Sequence, residues 1–205
     1  MKKITALVLT LMLILTLTAC GQKKAETAAV GGWTLTEDAA VTKDAQEAFD
    51  NAMEGLAGVS YAPVALLGTQ LVSGTNYCLL CEATVVYPDA KPYYAVVTVY
   101  KDTQGKSQVK NIVALDLGKI QESGTIEDSQ PYSSQVMGGW TVDRESNIEV
   151  TDGVLHLATQ VVAGTNHAVL CKGWNLCFVY ADTQGKTEIT KTVPLDITAL
   201  SQSSE

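Results

Sequence analysis

Gln70-Leu71-Val72-Ser73-Gly74-Thr75-Asn76 returns ninety residues later as Gln160-Val161-Val162-Ala163-Gly164-Thr165-Asn166, and the fold follows from how this pair is read. Apolar, strand-favouring residues run into Ser-Gly or Ala-Gly, the composition of a strand entering a tight turn. Other strings return around it. Gly31-Gly32-Trp33-Thr34 recurs as Gly138-Gly139-Trp140-Thr141, Asp102-Thr103-Gln104-Gly105-Lys106 as Asp182-Thr183-Gln184-Gly185-Lys186, and Leu115-Asp116 as Leu195-Asp196. The spacing between copies shortens along the chain, so the second copy is the first with residues deleted before and after the core string. Two copies are too few for a solenoid, and a pair of related small units is expected.

Upstream of the first string, Ala45, Ala48, Phe49, Ala52, Met53 and Leu56 recur at three- and four-residue intervals, with Lys43, Asp44, Gln46, Glu47, Asp50 and Glu54 on the other faces. This is an amphipathic helix, with Thr36 or Thr42 placed to cap its start. A helix of this length is marginal alone and needs a surface. Residues 64–73, 77–87, 93–101 and 109–117 read as strands that supply one. Residues 88–92 form a longer connection, and Asp102 to Lys106 form a second hairpin turn. Turns 73–74 and 102–106 fall on the same rim, because alternate hairpins of a meander point the same way.

A helix followed by Gln70-x-Val72-x-Gly74 with Asn76 two residues on, then strands ending in a second hairpin, resembles the cystatin family of cysteine-peptidase inhibitors. Residues 64–69 resemble the strand leading into that family's first hairpin. The resemblance implies an α+β fold, a cystatin-like helix packed on a four-stranded antiparallel sheet. It also implies a wedge for a papain-like cleft: Gly31 and Gly32 as a flexible trunk, Gln70, Leu71, Val72, Ser73 and Gly74 as the first loop, and Asp102, Thr103, Gln104 and Gly105 as the second. The family carries Pro-Trp at the second hairpin. Asp102-Thr103 stand there instead, which removes a large apolar anchor from the wedge.

The first unit spans residues 31–119. Residues 120–137, rich in Ser, Gln, Glu and Asp with Pro131, read as an exposed connector. The second unit, 138–198, is expected to be a shortened, mostly antiparallel repeat without the long helix, and 199–205 a tail. In place of the helix stand residues 148–151 and 154–159 around Asp152-Gly153, a two-residue hairpin signal. A sheet without its own helix has an apolar face to bury. Packing against the first unit is the expected solution, with a homodimer as the alternative.

The start of the chain reads differently. Lys2 and Lys3 precede an apolar run from Ile4 to Thr18 that ends Leu17-Thr18-Ala19-Cys20. A basic start, a short apolar core and a small-residue cleavage site make residues 1–19 an export signal, and Leu-Thr-Ala-Cys resembles the bacterial lipoprotein signal. That resemblance implies a diacylglycerol on the Cys20 thiol, palmitate-type acyl chains, and an extracytoplasmic protein held at a bacterial membrane. Residues 20–30 are then the lipidated cysteine and a spacer.

A net charge of -8 and a pI near 4.7 exclude nucleic acid as an expected partner. Cys171 and Cys177 flank a short turn and are candidates for a disulfide. Cys78 and Cys81, three apart in a strand, point to opposite faces. His156 and His167 are the only histidines and lie in different stretches, so no metal and no cofactor is expected. No nucleophile elbow, Gly-rich phosphate loop or paired carboxylates stand out, and no catalytic residue is assigned. The functional expectation is a noncatalytic, lipid-anchored module binding a protein or peptide. Inhibition of a papain-like peptidase is one alternative, and a structural role through sheet-edge pairing is another.

Overall fold

A computed structural model describes residues 31–127 and 139–202. The leader, Cys20 and its spacer, residues 128–137 of the connector, residue 138 at the start of the second unit and residues 203–205 lie outside the described residues.

The first half folds as β1 (Trp33–Leu35), α1 (Lys43–Met53), β2 (Val59–Val72), β3 (Gly74–Val85), β4 (Tyr93–Lys101), β5 (Ser107–Leu115) and α2 (Leu117–Ser123). The second half gives β6 (Thr141–Val142), β7 (Gly153–Val162), β8 (Gly164–Cys171), β9 (Asn175–Ala181), β10 (Thr187–Pro194) and α3 (Ile197–Leu200). Each half is a five-stranded antiparallel sheet in the order β1-β2-β3-β4-β5 or β10-β9-β8-β7-β6. The expected fold of a helix on a four-stranded sheet followed by a shortened repeat is therefore corrected. The molecule is mostly β, and the second sheet has as many strands as the first.

The fifth strands come from the repeated Gly-Gly-Trp-Thr string. Trp33 pairs with Gln70, Thr34 with Thr69 and Leu35 with Gly68, while Thr141 pairs with Thr159 and Val142 with Ala158. The main layer contact is sheet on sheet. One continuous core takes Leu67, Leu80, Tyr94, Val96, Leu115, Leu117 and Ile120 from the first half and Leu157, Leu170, Trp174, Leu176, Phe178 and Leu195 from the second. The Tyr94 hydroxyl crosses between the layers to donate to the Leu157 carbonyl at 2.8 Å. The apolar face of the second sheet is thus buried within the chain.

Helix α1 lies on the opposite, outer face of the first sheet. Ala45, Ala48 and Phe49 meet Leu66, Tyr77, Leu79, Cys81, Val97 and Val99 there. Small Ala side chains let the helix approach closely, and the Thr42 hydroxyl caps it by accepting from the Ala45 N–H at 3.2 Å. On the outer face of the second sheet, Ile148 and Val150 cover Val169, Cys171 and Cys177. These residues do not join a ladder. Asp152-Gly153 does turn tightly, with the Gly153 N–H donating to Val150 O at 2.9 Å.

Two bulges appear in each half at equivalent places. Strand β2 slips against β3 between Pro63 and Ala65 and between Leu66 and Gly68, and β7 slips against β8 between Gly153 and Leu155 and between His156 and Ala158. Each extra residue reverses which face the next side chain occupies. The repeated Leu-Asp string also has a structural reason. Asp116 caps α2 by accepting from Lys119 N, and Asp196 caps α3 by accepting from Thr198 N and Ala199 N. The stretch read as an exposed connector therefore opens as a helix, with Ile120 buried.

Candidate functional site

Three segments meet at one rim of the first sheet. The Gly31 N–H donates to Leu71 O at 3.0 Å, and the Gln70 amide donates back to Gly31 O at 2.9 Å. Asn76 donates to the same Gln70 side chain at 2.6 Å. The Tyr100 hydroxyl donates to Ser73 O, tying β4 to the tip of the β2–β3 hairpin. Gly74 has φ 127°, and a Cβ there would strike the Lys101 carbonyl and the Tyr100 ring. Only glycine fits. Beside this tip, Asp102 closes the second turn by accepting from Gln104 N at 2.8 Å and Lys106 N at 2.9 Å. Thr103, Gln104 and Gly105 are exposed.

The second half reproduces the arrangement. Asn166 donates to Gln160 at 2.8 Å, Tyr180 donates to Ala163 O, and Gly164 with φ 122° abuts Ala181 O. Asp182 accepts from Gln184 N and Lys186 N, both at 2.9 Å. The Gln, Gly and Asn of the repeated string are therefore bound up in holding strands together.

This changes the roles expected for the site residues. Gly31 and Gly32 are exposed, but Gly31 is bonded to the hairpin and leads directly into β1, so it is no free trunk. The Gln70 side chain spans Gly31 and Asn76 and is occupied internally. What projects outward is the tip. Leu71 is 48% and Val72 37% exposed, and their counterparts Val161 and Val162 are 86% and 46% exposed. The structure brings residues 31, 70–74 and 102–105 to one rim.

The cysteines divide by layer. Cys78 belongs to the core between the sheets and Cys81 to the layer under α1, as alternation along the strand requires. Burial pushes the Cys78 thiol up to about 12. Cys171 and Cys177, the candidate disulfide pair, are both free thiols. Cys171 stands across from Asn175 and Cys177 across from Val169, so the two are a diagonal pair. Diagonal partners stand about 7–8 Å apart, beyond ordinary disulfide span. Burial, and then contact with Cys177, raises the Cys171 thiol to about 12.

One cluster of side chains forms only in the folded chain. His156 and His167 come together on the outer face of the second sheet, with Nε2 of His156 3.0 Å from Nδ1 of His167. His156 Nδ1 meets the Asp143 carbonyl oxygen. The Asp143 carboxylate accepts from Ser146 N at 3.0 Å, from Ser146 Oγ at 2.5 Å and from Thr159 Oγ1 at 3.4 Å. The Ser146 bonds hold its pKa below the usual carboxylate value. Burial, then the neighbouring His156, lowers that of His167. The available signal was the repeat itself, since His156 and His167 replace Leu66 and Tyr77 at one offset. Among the described residues, no group of three or more His, Cys, Asp or Glu is arranged to hold a metal ion. No helix among them is long and apolar enough to cross a membrane.

Comparison with known proteins gives no matching family model, no matching curated protein and no matching solved structure.

Proposed function

We propose that this chain is a noncatalytic envelope protein, tethered through lipid on Cys20, that binds a protein or peptide through the hairpin tips at 71–73 and 161–163. One observation carries this reading: both copies present two neighbouring apolar side chains to solvent at the same hairpin position. Water contact at these four side chains is unfavourable, and covering a Leu or Val fully is worth about 1.5–3 kcal/mol. The polar residues of each string fix the strands beneath the tips, so the tips are held in shape before a partner arrives, which lowers the cost of association.

The test uses the full lipoprotein in the cells that make it. A photo-crosslinking residue at Leu71 or Val161 is expected to give discrete adducts. The same residue at Gly105, on the neighbouring turn, is expected to give few. Leu71→Asp with Val161→Asp should abolish adduct formation from a crosslinker at Val162 while the fold persists. Uniform crosslinking at all positions would sink the reading. Cys20→Ser should release the protein from the membrane, which tests the tether separately. Assay of the same protein at micromolar concentration against papain-like peptidases tests inhibition, the activity the hairpin sequence implied.

A further inference from the structure

We infer that His156 and His167 form a two-imidazole binding site for a divalent transition cation of the Zn²⁺/Ni²⁺ class on the outer face of the second sheet. The chain has two histidines, and the fold brings both to one place. They come from different strands: His156 pairs across from Val169 and His167 from Thr159. The bulge at Leu157 is what sets them on a common face. Without it, alternation along β7 would send His156 toward the buried core.

The geometry suits chelation. Nε2 of His156 and Nδ1 of His167 stand 3.0 Å apart. Two nitrogens bound tetrahedrally to one Zn²⁺ at about 2.0–2.1 Å stand about 3.3–3.4 Å apart, so the hydrogen-bonded rings need to separate by only a few tenths of an ångström. His156 Nδ1 lies against the Asp143 carbonyl oxygen. This backbone contact fixes the ring and leaves Nε2 as the electron-pair donor, the usual support of a metal-binding histidine. When the cation enters between the rings, the proton shared there moves to His167 Nε2. The Asp143 carboxylate, held by Ser146 and Thr159, supplies nearby negative charge.

The surroundings leave room for the other ligands. In the first half the equivalent residues, Leu66 and Tyr77, are sealed beneath α1. In the second half no helix among the described residues stands over them, and a cavity of about 950 Å³ opens on the His156 side of the pair, lined by His156 and by residues that include Arg144, Ser146, Asn147 and Val169. Water completes the coordination of a cation held by two protein nitrogens. The site is accordingly exchangeable, unlike a four-ligand structural zinc.

The experiment is calorimetric titration of the full chain with ZnCl₂ and, separately, NiCl₂ at pH 7.5. One equivalent is expected to bind with saturation below a millimolar. His156→Gln and His167→Gln should each weaken binding by at least about tenfold. Cys171→Ser should leave it unchanged, which separates the imidazoles from the nearby thiols. Imidazole ¹⁵N shifts of the unsubstituted protein provide a readout independent of whether the variants fold: both rings should respond to Zn²⁺ together. No saturable binding, affinity retained in both His variants, loss confined to the Cys171 variant, or rings that do not respond would overturn the inference.

Discussion

Gly74 and Gly164 show what single residues contribute. Each sits at the end of a hairpin with positive φ and its Cα pressed against a backbone carbonyl of the next strand. Gly74→Ala combines a disfavoured backbone conformation with a collision that no side chain can relieve. We expect a loss of about 3 kcal/mol, read as a lower denaturation midpoint at unchanged slope. Gly105→Ala is the control. It also has positive φ but open space around it, and should cost about 1 kcal/mol. Equal losses at the two positions would refute the close-approach argument. The glycines, the Asp102 turn and the opposite faces of Cys78 and Cys81 were legible in the sequence because each depends on a few adjacent residues. The histidine pair was not. Its common face depends on one bulged residue, Leu157, and a period-two reading carried through that residue puts His156 on the wrong side.

At the scale of elements, local pattern and tertiary pairing part company. Helix α1 was readable because its apolar stripe is intrinsic to the segment. Strand β1 was not, since three residues, Trp33–Leu35, carry too little pattern, and only the ladder with Gly68–Gln70 makes them a strand. The same holds for Thr141–Val142. Helix α1 has only Ala45, Ala48 and Phe49 fully buried, so Phe49 is its principal anchor. Phe49→Ala is expected to cost about 3–5 kcal/mol and to expose Leu66 and Val97 to solvent. Hydrogen exchange should then rise in α1 and the middle of β4. Exchange rising equally in β8 and β9, on the far layer, would show that α1 does not act locally.

For the whole molecule, packing between the units was legible from the second unit, whose sheet lacks a helix of its own, but not from the first, whose helix already supplied a partner. Nothing in the spacing of the first unit says that the face opposite its helix meets the second unit. The shared core, running from Leu67 and Tyr94 to Leu157 and Phe178, predicts one cooperative unfolding transition rather than two. Calorimetric and van't Hoff enthalpies should agree. Two resolved transitions would mean that the sheets are stable separately.

The sheet-on-sheet core also bears on the history of the chain. A single ancestral unit with an exposed inner face carrying the counterparts of Leu67 and Leu80 would have been insoluble or paired. Fusing two such partners makes the contact intramolecular and frees it from protein concentration. The outer faces carry no such constraint and differ between the halves: one holds a helix and the other two histidines.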